Sequence, residues 1–158
     1  MPEADQPLSI IEHQPSPDFN QFLLFDAWSD LSYGDLPDFT PGSIATTGPG
    51  GGIFLTQGDL ARPCIRLEVQ RKNSSEGLTD SDTFEGQLTC ETGKLLLGSI
   101  SASPDDLALH LEPGAYAIKA WRSRVRREYQ LDPEIFDEAD NPGYFSEDWL
   151  IQLEKLGG

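Results

Sequence analysis

Alternation with a period of two runs along the middle of this chain, and Gly and Pro interrupt it at short intervals. In residues 62–70, Ile65, Leu67 and Val69 alternate with Arg66, Glu68 and Gln70. In residues 83–91, Phe84, Leu88 and Cys90 alternate with Glu85, Gln87, Thr89 and Glu91. Leu107, Leu109 and Leu111 alternate with Ala108, His110 and Glu112, and Tyr116, Ile118 and Ala120 with Ala117, Lys119 and Trp121. A pleated strand turns successive side chains to opposite faces, so each segment reads as a strand with one face in a core and one in water. Thr92-Gly93, Ser103-Pro104-Asp105 and Pro113-Gly114 supply the turns between them. With 15 Gly, 12 Pro and an apolar fraction of 37%, the composition suits a loop-rich β protein better than a helical bundle.

Earlier strands are expected at residues 8–13, 20–28 and 52–57. The second of these is apolar on both faces, Phe22 and Leu24 against Leu23 and Phe25, which predicts a central strand. Residues 147–154 admit a closing strand or a short helix capped by Ser146, and the β context favours the strand. A single short helix is expected at residues 132–139, where Asp132 is an N-cap and Pro133 takes the first position. The prediction is an all-β, single-domain fold over residues 1–158, an antiparallel β-sandwich or flattened barrel with long acidic loops and at most one short helix. Residues 1–7 are expected to be flexible.

Three segments read as exposed loops. Residues 29–51 carry Asp30, Asp35 and Asp38 with Tyr33 and Phe39 among them, and residues 72–82 read as a polar hairpin loop. Residues 128–146 interleave Glu134, Asp137, Glu138 and Asp140 with Phe136 and Tyr144. Loops of that length without regular structure are often functional. The Gly-rich Gly48-Pro49-Gly50-Gly51-Gly52 precedes a strand, not a helix with Lys-Ser/Thr, so it reads as a hairpin or bulge element and not as a phosphate loop.

Charge is distributed unevenly. The first 61 residues hold nine acids and no Lys or Arg, the last 31 hold nine acids and Lys155, and ten bases meet nine acids between them. The net −16 is therefore −9, +1 and −8 in turn, a near-neutral middle between two acidic ends. A field of that sign repels nucleic acid and anionic membranes and attracts basic protein surfaces. Nothing in residues 1–14 reads as a signal peptide, and no run approaches the roughly 18 apolar residues that span a bilayer, so a soluble cytoplasmic protein is expected. Cys64 and Cys90, each in a strand, are expected to be buried thiols, although a bridge between neighbouring strands stays open.

Catalytic chemistry finds little support. His13 and His110 sit in no catalytic motif, two cysteines without a histidine cluster make no zinc site, and the acids single out no catalytic pair. Asp80-Ser81-Asp82 begins like a calcium loop, but Glu85 takes the place where Gly is needed. The expectation is therefore no enzyme, no cofactor and no metal. Arg122, Arg124, Arg126 and Arg127 follow Trp121, and the acids that come after them point to ion pairs with Glu128, Asp132 or Asp137 instead of a nucleic-acid patch.

The run Leu109-His110-Leu111-Glu112-Pro113-Gly114-Ala115-Tyr116-Ala117-Ile118-Lys119-Ala120-Trp121, with the closing Glu147-Asp148-Trp149-Leu150-Ile151-Gln152-Leu153, resembles small bacterial proteins of the competence J type. The resemblance covers the last third of the chain, with an echo at residues 22–28. It implies an acidic β-sandwich associated with inhibition of a DNA-entry nuclease, or an immunity-like relative. It supplies no catalytic residues.

Two readings follow. In the first, the chain is a non-enzymatic inhibitor or immunity-type protein for a basic nuclease or toxin. Its partner-binding residues would be Asp30, Tyr33, Asp35, Asp38 and Phe39 on one loop, and Phe136, Asp137, Glu138, Asp140 and Tyr144 on the other. The alternative is a small-molecule or carbohydrate-binding sandwich that stacks its ligand on Trp28, Trp121 or Trp149.

Overall fold

A computed structural model describes residues 9–13, 21–27, 42–48, 50–57, 61–72, 77–98, 107–130 and 144–156. Among the described residues there are ten strands: β1 (Ser9–His13), β2 (Gln21–Asp26), β3 (Ala45–Gly48), β4 (Gly51–Leu55), β5 (Ala61–Gln70), β6 (Ser81–Cys90), β7 (Lys94–Gly98), β8 (Leu107–His110), β9 (Gly114–Gln130) and β10 (Tyr144–Lys155). They form two five-stranded sheets, β1-β5-β10-β9-β6 and β3-β4-β2-β7-β8, which are not closed into a barrel. The expected all-β sandwich is present. The closing segment is a strand, and the doubly apolar β2 is the central strand of its sheet.

The alternating residues supply the core. Ile65, Leu67, Leu88, Tyr116, Ile118, Trp149, Ile151 and Leu153 from the first sheet meet Phe22, Leu24, Phe54, Leu95 and Leu97 from the second. Phe22 and Phe54 stack at 5.1 Å between centroids, and Trp149 meets them edge-on at 4.9 and 5.9 Å. A perpendicular pair of this kind sets a positive ring edge against a negative ring face and adds about 0.5–1.5 kcal/mol per pair beyond the area buried. Tyr116 donates its hydroxyl to the Glu112 carbonyl (2.6 Å), so a buried phenol closes the turn into β9. Burial, with Cys90 and Glu112 nearby, pushes that phenol up to about 12.

Several expectations are corrected. β10 pairs with β5 in parallel, so the first sheet is mixed, while every other pairing is antiparallel. Residues 72–82 do not close a hairpin, because β10 and β9 lie between β5 and β6. The segment 29–51 ends in a strand, β3, which joins β4 by pairing Gly48 with Gly51. That Gly-rich turn is the hairpin expected there. Gly51 adopts φ 145°, and a methyl on it would overlap the Leu24 carbonyl oxygen. The Leu95-Leu96-Leu97 run, not anticipated as a strand, is β7. Neither cysteine forms a disulfide: Cys90 is buried, Cys64 only half-buried, and two strands separate β5 from β6. The expected helix at 132–139 lies outside the described residues.

Candidate functional site

The core-facing stripe of β9 runs Tyr116, Ile118, Ala120 and then becomes Arg122 and Arg124. The point where that stripe turns from apolar to charged marks one end of the sandwich. There Arg122 donates to the Leu55 carbonyl (Nη1, 3.0 Å) and to Asp82 (Nη2 to Oδ2, 2.8 Å). Arg124 donates from Nε to Asp82 Oδ1 (2.9 Å) and stands 3.6 Å from Asp80. These hydrogen bonds, that from Arg122 first, hold the Asp82 carboxyl below its ordinary value. Arg122 and Arg124 thus pair with Asp80 and Asp82 at the start of β6, while Asp132, Asp137 and the side chain of Glu128, the partners expected from the sequence, lie outside the described residues. The side chains of Arg126 and Arg127 lie outside the described residues.

Beside them, Glu147 is fully buried. Its carboxylate accepts the Gln57 backbone N–H (2.9 Å) and the Trp149 indole N–H (2.7 Å). Burial pushes this carboxyl above its usual range, against the pull of those donors and of Arg122. Gln57 also donates its side-chain amide to the Ser123 carbonyl (2.9 Å). Glu147 and Gln57 therefore tie β10 and β9 to the segment that leaves β4.

The register between β9 and β10 breaks at this end. Trp149 pairs with Arg122 and Glu147 with Arg126, so Ser123, Arg124 and Val125 stand opposite the single Asp148. This bulge is pinned: the Val125 N–H donates to Ser123 Oγ (3.0 Å) and the Arg124 N–H to the Asp80 carbonyl (2.9 Å). Asp80 takes a left-handed φ of 48°. Bulges re-aim side chains and gather near functional sites, and here Val125 is left 49% exposed. An open cleft of about 570 Å³ lies alongside, lined by residues that include Leu78, Thr79, Asp80, Thr83, Trp121 and Arg124.

Two of the three tryptophans proposed as stacking platforms are buried, Trp149 in the core and Trp121 on the opposite face of the sheet. Gly77 rests on the Trp121 ring so closely that a methyl there would overlap it, and Lys119 Nζ lies 5.4 Å from the ring centroid. Trp28 lies outside the described residues. So do Asp30, Tyr33, Asp35, Asp38, Phe39, Phe136, Asp137, Glu138 and Asp140; Tyr144 opens β10, and its side chain is likewise outside. The stems of the two loops are described. Ile44, on the returning stem of the first, accepts the Leu55 N–H (2.8 Å), and Leu55 in turn accepts Arg122 of the arm that carries the second. One stem of the first loop and the base of the second thus belong to the same end of the sandwich. Sequence reasoning gave Val125 and Glu147 no role of their own and weighed Asp80 and Asp82 only as the start of a calcium loop, and the apolar-to-charged switch along β9 was a visible signal of this end.

Among solved structures, the chain is similar over 96% of its length to ComJ from Bacillus subtilis, described as an inhibitor of the DNA-degrading activity of NucA. That match covers 98% of ComJ with a TM-score of 0.61 and 15% identity. The fold is ComJ-like. A second structure, described as crocagin biosynthetic gene J, matches over 94% of this chain and 97% of its own, with a TM-score of 0.51 and 14% identity. No protein-family model and no curated protein sequence matches the chain.

Proposed function

We propose that the protein is a non-enzymatic inhibitor or immunity-type protein that binds a basic protein partner, a nuclease or a toxin. The observation that carries this reading is the ComJ-like fold, shared along nearly the whole chain with an inhibitor of DNA degradation. The net charge of −16 supports it, because it favours encounter with a basic surface and disfavours DNA itself. Among the described residues at the Glu147 end, Arg122 and Arg124 are engaged by Asp80 and Asp82, which supports it too.

Partner contacts are assigned to the acidic aromatic loops, Asp30, Tyr33, Asp35, Asp38 and Phe39 with Phe136, Asp137, Glu138, Asp140 and Tyr144. Carboxylates would steer association and aromatic rings would anchor it. The test is DNA degradation by purified basic nucleases titrated with this protein. The reading expects loss of one nuclease's activity at equimolar protein and its recovery at raised salt. Undiminished activity across the nucleases, with no binding to basic toxins, would refute it.

A further inference from the structure

We propose that the outer face of the second sheet is a docking surface for the chain's own residues 28–41, which cross it as a third layer seated by Trp28, Leu31 and Leu36. The second sheet is apolar on both faces. Its inner face meets the first sheet through Phe22, Leu24, Phe54, Leu95 and Leu97. On the outer face, register sets Thr46, Ile53 and Leu23 in one row and Phe25, Leu96 and Ala108 in the next. Neither row holds a charge, and Lys94 pairs with His110 at one margin. Leu23 and Ile53 stand outside the core between the sheets, yet they are only 9% and 3% exposed. Neighbours within one sheet do not bury a side chain that points out of it so completely. All ten strands belong to the two sheets, and the first sheet lies on the inner face, so no described strand is the cover.

Topology names the segment that is. β2 and β3 are each antiparallel to β4, which lies between them, so they run parallel to one another. Parallel strands of one sheet need a crossover of a dozen or more residues that returns along the strand length. Here the crossover is residues 27–44. It leaves beside the Gly48–Gly51 turn, where the Asp26 N–H donates to the Gly50 carbonyl (2.8 Å). It returns at the opposite end of the sheet, where the Ile44 carbonyl accepts the Leu55 N–H (2.8 Å). A strand of five or six residues spans roughly 17–20 Å, well within its reach. The inner face is filled by the core. The β3 margin is closed by β6: the Gly50 N–H donates to the Thr89 carbonyl (3.2 Å), and a methyl on Gly86 would overlap the Thr47 hydroxyl. The outer face is the route that remains.

The composition of the segment suits that route. Trp28, Leu31 and Leu36 have no part in the partner contacts assigned above, and an uncharged face is where they leave water at least cost. Asp30, Asp35 and Asp38 stay solvated on the far side, since a charge without a partner is expensive to bury. In the inhibitor reading, the first acidic loop then meets its partner from a fixed base and loses less freedom on binding.

The test uses no nuclease, so it succeeds or fails apart from the inhibition assay. Its probes are ANS, a dye that fluoresces on exposed apolar surface, and chymotrypsin. Its main variant is the triple Trp28→Ser, Leu31→Ser, Leu36→Ser, which keeps every acid of the segment. Wild-type protein is expected to bind little dye and to resist cleavage within residues 28–41. The triple variant is expected to bind several-fold more dye, to be cut within the segment, and to melt about 5–10 °C lower. Leu36→Ser alone should move the same readouts in the same direction, which covers the case of a triple variant that does not fold. Wild-type protein that binds the dye strongly, or is cut readily at Leu31 or Leu36, would overturn the proposal. So would a triple variant that melts like the wild type. Dye binding that rises as a wild-type dimer is diluted would make a second copy the cover, and the proposal would fall.

Discussion

Glu147 is a carboxylate with no exposure, held by one backbone N–H and one indole N–H at the end of an apolar core. Both oxygens accept, so replacing Glu147 by Gln turns an NH₂ group toward one of those donors. That change is expected to cost about 1–3 kcal/mol, the range for a buried polar group left unpaired, and urea unfolding measures it. The pH dependence of the deficit carries a sign. The folded carboxyl titrates above its ordinary 4.5, so the folded state holds its proton more tightly, and stability from this group falls as pH rises from about 4.5 through the raised value. Gln does not titrate. The deficit of Glu147→Gln should therefore be largest on the acid side and shrink as pH rises. Asp82 acts oppositely: its lowered carboxyl contributes stability above the usual 3.8, and that contribution is lost as pH falls through the lower folded value. Replacing Asp82 by Asn should flatten the acid limb of the wild-type stability curve.

At the scale of elements, the link between β5 and β6 crosses two strands, and Gly77 is where it meets the Trp121 indole. Gly77→Ala is expected to destabilise by about 1–3 kcal/mol through overpacking, read as a lowered urea midpoint. The same elements show what was legible beforehand. Strands with one wet face announced themselves by alternation, and β2 announced its central place by being apolar on both faces. The β7 strand did not, because Leu95-Leu96-Leu97 has no alternation, and Ala45-Thr46-Thr47-Gly48 is too short and too small to stand out from a Gly- and Pro-rich segment. The parallel pairing of β10 with β5 depends on which distant strands meet, and no local pattern encodes that. The bulge at Ser123–Val125 is a property of register between two strands, so it too was invisible, although the change from Ala120 to Arg122 on the core stripe marked its neighbourhood.

For the whole molecule, the proposed inhibitor role draws on two observations, the ComJ-like fold and the charge distribution. The fold is shared with a protein that inhibits DNA degradation, and the charge favours association with a basic surface. If charge drives that association, its rate should fall steeply with ionic strength while dissociation changes little, a separation that stopped-flow kinetics resolves. The measurement that bears most directly on the account is recovery of the partner from the organism that makes this protein. Tagged protein is held at low salt, eluted with a salt gradient, and the eluate is identified by mass spectrometry and assayed for DNA degradation. The account predicts one basic nuclease or toxin, released at moderate salt and inhibited by the pure protein. A gradient that releases no specific partner, or a partner whose activity the pure protein leaves untouched, would contradict it.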